Sequence, residues 1–80
     1  GKGSVASVET LGLKFLRELS LKTLKSNLTG VRGIVPREVA NYLLNKKRKE
    51  IVDLENRRNI EVTIEASDRM IPGESDIVRT

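Results

Sequence analysis

The residues of this chain that could do chemistry are charged side chains, because the sequence contains no cysteine and no histidine. These two absences remove the commonest nucleophile, the commonest general base and the usual zinc ligands. The carboxylates form no convincing catalytic or metal-binding pair. Asp53 and Glu55 point in different directions on a predicted helix, and Glu61 and Glu65 are expected to be solvated on the solvent-exposed face of a predicted strand. No phosphate-binding loop or nucleophile elbow is present. We therefore expect no catalytic residue and no metal site in these 80 residues.

A run of basic residues, Lys46-Lys47-Arg48-Lys49, stands out in a chain of net charge +4. Four basic residues of one predicted helix could contact RNA phosphates in a salt-sensitive way: Lys46, Lys49, Arg57 and Arg58. The alternative is an ordinary solvated helix face, partly paired with Glu50 and Asp53. Stacking aromatics, which single-strand binders use, are missing apart from Tyr42. Both interpretations of the basic residues stay open.

The segment from Ser7 to about Ser26 has a helical pattern that is apolar on two sides. One stripe consists of Val8, Leu11, Phe15 and Leu19. Nearly the opposite side carries Leu13, Leu21, Leu24 and Leu28. Since a small domain can rarely bury both faces of a helix in its own core, the second stripe is either covered by a loop or forms an intermolecular or interdomain surface.

The remaining pattern predicts an α+β domain of residues 7–80, preceded by a linker remnant at residues 1–6. The elements expected after the first helix are a strand at 31–35, a helix at about 37–57 with a kink or break near Asn45 to Lys47, a strand at 60–66 and a short last strand at Ile77 and Val78. This α-β-α-β(-β) order predicts two layers, with helices packed on a small sheet and a right-handed crossover between parallel strands.

Two further patterns bear on location and on nucleic-acid contact. No apolar run approaches the ~20 residues that span a bilayer, and no signal pattern opens the chain, so a cytoplasmic location without a membrane span is expected. Gly30-Val31-Arg32-Gly33 matches the GxxG of KH domains, but it lies between a helix and a strand instead of between two helices. That context argues against a KH clamp.

Several segments together resemble the ribonuclease E/G family. That family has a strand that ends in Val-Pro, and Ile34-Val35-Pro36 is similar to it. The family's next helix contains Tyr-Leu-Leu-Asn, and the segment Val39 to Arg48 is similar to it, with Tyr42-Leu43-Leu44-Asn45 at its centre. Leu54-Glu55-x-Arg57 and Asp68-x-Met70 continue the resemblance. The opening residues, Gly1 to Val5, resemble the tail of the family's Cys-x-x-Cys zinc link. At the position of Gly33 the family often has another small residue, so this sequence departs from the family pattern there.

The resemblance implies a small domain that follows the zinc link of a magnesium-dependent single-strand endoribonuclease, a hydrolase acting on ribosomal RNA precursors and messenger RNA. Such a domain is expected to help subunits assemble into homo-oligomers and to frame the RNA channel. The family's catalytic aspartates and its sensor of the RNA 5′ end have no counterpart in this chain, and no zinc-link cysteine lies within it. The alternative function is an independent RNA-binding module that uses the basic helix face.

Overall fold

A computed structural model describes residues 7–24, 27–71 and 73–80. The elements in chain order are α1 (Val8–Lys22), β1 (Gly30–Pro36), α2 (Arg37–Lys46), α3 (Arg48–Arg58), β2 (Glu61–Ser67) and β3 (Asp76–Arg79). The predicted α+β class is confirmed, and the last short strand is present. The predicted linker remnant at residues 1–6 lies outside the described residues.

The three strands form one mixed sheet in the order β2-β1-β3. β1 and β2 run parallel with continuous register from Gly30 opposite Glu61 to Pro36 opposite Ser67, as the strand–helix–strand pattern predicts. β3 returns antiparallel on the other side of β1, with Val31 opposite Arg79. The sheet therefore has two edge strands, β2 and β3.

The core lies between one face of the sheet and the three helices. Apolar side chains of β1 and all three helices are buried in it, namely Phe15, Leu19, Val31, Val35, Val39, Ala40, Leu43, Ile51 and Leu54, together with Ile60 before β2. Val8 and Leu11 pack against this cluster, so the first apolar stripe of α1 is confirmed as its inner face. This inner face fixes which side of α1 is left outside.

α1 begins as the sequence predicts but ends earlier. The Ser7 hydroxyl accepts a hydrogen bond from the Thr10 N–H at 3.1 Å, which caps the first turn. At the other end the buried Thr23 hydroxyl donates to the backbone oxygens of Leu19 at 2.8 Å and Ser20 at 3.1 Å. The hydroxyl shares the Leu19 carbonyl with the Thr23 N–H, which donates to it at 3.2 Å. α1 ends at Lys22, so the prediction of a helix to about Ser26 is wrong.

The predicted long helix is two helices. The break lies at Lys47, inside the predicted kink region, where the backbone takes φ −120° and ψ 22°. The Lys47 N–H still donates to Leu43 and its carbonyl accepts from Ile51, so the two helices share this residue as a cap. α3 then ends at Asn59, whose left-handed conformation (φ 56°) turns the chain toward β2.

Candidate functional site

The outer side of α1 carries exposed leucines. Leu13 is 51% exposed and Leu21 60%, and they lie about two turns apart on the side away from the sheet. Leu24 lies just beyond the helix, where its N–H donates to the Leu21 carbonyl at 3.4 Å, and it is 61% exposed. We call Leu13, Leu21 and Leu24 the leucine face.

Leu28 does not share this face. It was predicted to continue the stripe on a longer helix, but α1 ends at Lys22 and Leu28 packs, half-buried, against the core. The physical reason is the early cap by Thr23, which releases the chain from helical geometry before Leu28 is reached. The exposed set is therefore smaller than the sequence predicted.

Three of the four predicted basic residues are exposed: Lys46, Lys49 and Arg57. Because the helix breaks at Lys47, Lys46 ends α2 while Lys49 lies in the first turn of α3, so the predicted spacing along one continuous helix does not hold. Arg57 forms an ion pair with Asp53 on the same helix. Lys47 pairs with Glu50 at 3.8 Å. These pairs are the ones that the solvated-face alternative predicts.

Arg58 is placed differently from the other three. It is half-buried, and its Nη2 donates to the Ser20 hydroxyl of α1 at 3.5 Å. Its Nε is buried and has no hydrogen-bond partner within the described residues. Arg58 thus lies between α3 and α1, where it contacts protein instead of extending the exposed basic set.

A bidentate ion pair joins the start of α2 to the end of β2. Arg37 Nε donates to Asp68 Oδ1 at 2.7 Å, and Arg37 Nη2 donates to Asp68 Oδ2 at 2.9 Å. The hydrogen bonds and the charge of Arg37 lower the pKa of Asp68 below its ordinary value. Sequence reasoning missed the pair, because its members lie 31 positions apart. In the sequence, Asp68 stands out only as part of the Asp68-x-Met70 motif of the family resemblance.

The acidic side chains and the helices of the described residues bear on metal binding and on membrane insertion. Within residues 7–24, 27–71 and 73–80, no three acidic side chains come together in a group that could hold a metal ion. None of the helices among these residues is long and apolar enough to cross a bilayer.

Comparison with known proteins identifies the family. The family model described as "RNase E/G, Thioredoxin-like domain" matches residues 1–80. Ribonuclease E of Haemophilus influenzae is 41% identical over 70 residues, which cover 88% of this chain and 8% of the relative. Ribonuclease E of Escherichia coli is 38% identical over 71 residues, covering 88% of this chain and 7% of the relative. Ribonuclease E of Buchnera aphidicola from Acyrthosiphon pisum is 43% identical over 58 residues, covering 72% and 6%.

The chain thus spans less than a tenth of the length of these relatives. The family match covers every position of the chain. The resemblance drawn from the Tyr42-Leu43-Leu44-Asn45 run and its flanking segments is confirmed. This chain belongs to the RNase E/G thioredoxin-like domain family.

Proposed function

We propose that this chain is the small domain of a ribonuclease E/G-like endoribonuclease, and that it supports subunit assembly and frames the RNA channel. The parent would be a cytoplasmic hydrolase that acts in ribosomal RNA processing and messenger RNA decay. It would use magnesium for cleavage and zinc at the link before this domain. No residue of this chain is proposed as a ligand of either metal or as a catalytic group. The family match and the name shared by the relatives support this assignment.

The observation that carries the assembly role is the exposure of the leucine face. Three leucines each show more than half of their surface to solvent, two on the outer side of α1 and the third, Leu24, just beyond its end. A monomer gains nothing from keeping such side chains in water, and clustered apolar side chains on a surface are typical of protein–protein contact. The proposed partners are other subunits of the ribonuclease or its catalytic region.

The experiment replaces two members of this face, Leu13→Asp and Leu24→Asp, in the complete parent enzyme. Assembly is followed by analytical ultracentrifugation, and folding of the isolated domain by circular dichroism. A control with the same change of net charge carries two new aspartates at exposed positions on the other helices, Asn41→Asp and Asn56→Asp. We expect the leucine variant to lose assembly with its helical content intact, whereas the control keeps it. Assembly that survives the leucine double change would refute the role of this face.

A second function, direct RNA contact, is favoured by a separate observation. Lys46 and Lys49 are exposed, and within the described residues neither forms an ion pair. Because these lysines form no ion pair, they can bind RNA phosphates without first breaking one. Arg57 would join them only by releasing Asp53.

Titration of single-stranded RNA into this chain at several salt concentrations tests this function. Binding should weaken steeply as salt rises, and Lys46→Glu with Lys49→Glu should weaken it further. The control pair Lys14→Glu and Lys22→Glu makes the same change of net charge on α1. If the control lowers affinity as much as the test pair, the contact is not at these lysines. Undetectable or salt-insensitive binding would exclude the function.

A further inference from the structure

The outer edge of β2 presents backbone groups in a defined alternation. At its start, the Glu61 N–H donates to the Thr29 carbonyl at 3.2 Å, on the β1 side. In a parallel ladder, alternate residues direct both N–H and C=O to the same neighbour. The residues Glu61, Thr63, Glu65 and Ser67 therefore face β1. Val62, Ile64 and Ala66 direct their N–H and C=O groups away from the sheet.

The first of these outward groups is already occupied. Glu55 of α3 reaches the edge, and its Oε2 accepts the Val62 N–H at 2.8 Å. Among the described residues, no hydrogen bond to a neighbouring segment satisfies the outward N–H of Ile64 or Ala66. Glu55 thus caps the beginning of the edge and leaves its second half open.

Apart from the charge of Glu65, the open half of β2 lacks the usual protections of an edge strand. β2 contains no proline and no lysine, and its register with β1 is continuous, so no bulge twists it away. Ala66 is exposed and Ile64 half-buried, so bulky side chains do not cover the backbone. A regular edge with free donors and acceptors is a template for one more strand.

Charge indicates what kind of strand fits. The side chains of Glu61 and Glu65 lie on the sheet face opposite the helices, and Glu55 adds a third carboxylate at the start of the edge. Among the described residues, Glu65 forms an ion pair with Arg32 of β1 at 3.9 Å, and Glu61 forms none. A second copy of β2 would bring more carboxylates to this edge, and like charges on neighbouring strands are destabilising.

We propose that the edge of β2 at Ile64 and Ala66 binds an extended, basic segment of a partner protein as an added strand. The backbone of the segment pairs with Ile64 and Ala66, and its lysine or arginine side chains lie beside Glu61 and Glu65. This surface is separate from the leucine face, so the proposal does not depend on the assembly role.

The first test is made by NMR, with a capped peptide of alternating lysine and valine as the probe. We expect the peptide to slow hydrogen exchange at the amides of Ile64 and Ala66. The amides of Thr63 and Glu65, already paired with β1, serve as internal controls and should change little. The same peptide N-methylated at every backbone amide keeps its charge but cannot donate, and it should not bind. Equal binding of both peptides, or no protection at Ile64 and Ala66, would overturn the proposal.

The second test removes the charge without changing the backbone. Glu61→Gln with Glu65→Gln should weaken peptide binding about fivefold, as expected for the loss of two exposed ion pairs. The control Glu9→Gln with Asp76→Asn makes the same change of net charge at exposed positions on α1 and on β3, which β1 separates from β2. If the control weakens binding as much as the test pair, peptide affinity depends only on the net charge of the protein, and the proposal is contradicted.

Discussion

The ring of Phe15 on α1 lies directly against Gly33 at the centre of β1. A Cβ atom at Gly33 would fall 3.0 Å from Phe15 Cε2 and still closer to the tip of the ring. The absent side chain of Gly33 is therefore what allows α1 to pack closely on the middle strand. Since α1 also carries the leucine face, this contact sets the orientation in which those leucines are presented.

Gly33→Ala is expected to destabilise the fold by about 1–3 kcal/mol, because the added methyl group overlaps the phenyl ring in a filled core. The free energy of unfolding is measured by urea denaturation. The control is Arg32→Ala, one residue away and exposed, which should change stability by less than about 1 kcal/mol. A Gly33→Ala variant as stable as the parent chain would show that α1 is not held closely against β1.

Thr23 supplies the second prediction, since its hydroxyl is buried and donates to two terminal carbonyl groups of α1. Thr23→Val keeps the shape but removes the donor, so it should cost about 1–3 kcal/mol in the free energy of unfolding. Thr23→Ser keeps the hydroxyl and should retain the helix end. Backbone NMR shifts of residues 19–22 would locate the change. Equal stability of the valine and threonine proteins would contradict the cap.

The Arg37–Asp68 pair predicts a pH dependence. Hydrogen bonds and charge from Arg37 lower the pKa of Asp68 in the folded chain relative to the unfolded chain. The stabilisation is therefore complete above the pKa of Asp68 in the unfolded chain, and it is lost as the pH falls through the lower pKa of the folded state. Carbon-detected NMR titration should show the Asp68 pKa below its ordinary value, rising in Arg37→Gln. An Asp68 pKa that is the same in both proteins would disprove the pair in solution.

Arg57 and Arg58 should differ although they are neighbours. Arg58→Ala removes a half-buried side chain packed between α3 and α1, so we expect about 1–2 kcal/mol of destabilisation. Arg57→Ala removes an exposed ion pair and should cost no more than about 0.5 kcal/mol. The two unfolding free energies are compared by urea denaturation. Equal small effects would mean that Arg58 is as solvated as Arg57.

Local patterns predicted much of the fold, because they depend on neighbours in the sequence. The inner stripe of α1, its start at Ser7 and the break near Lys47 all follow from residues within a few turns of one another. The alternating pattern also located β2 to within one residue, since Ile60 is buried just before the strand and Glu61 begins it.

Contacts between distant segments could not be read in this way. The closing of α1 by Thr23 depends on a hydroxyl turned inward, and the sequence equally allows it to face solvent. The Glu55–Val62 hydrogen bond and the Arg37–Asp68 pair require the three-dimensional course of the chain. For the same reason the sequence pattern groups Leu28 with the second leucine stripe and Arg58 with the RNA-contact residues, whereas the tertiary structure packs both against the protein.

The central claim is that the leucine face is an assembly surface, and light scattering over a range of concentrations tests it most directly. The measurement is made on this chain alone and on this chain mixed with the catalytic region of the proposed parent enzyme. We predict a mass above that of the separate components in at least one of the two samples, and its loss in the Leu13→Asp and Leu24→Asp variant. Monomeric mass in both samples, or assembly that the double variant leaves unchanged, would contradict the account.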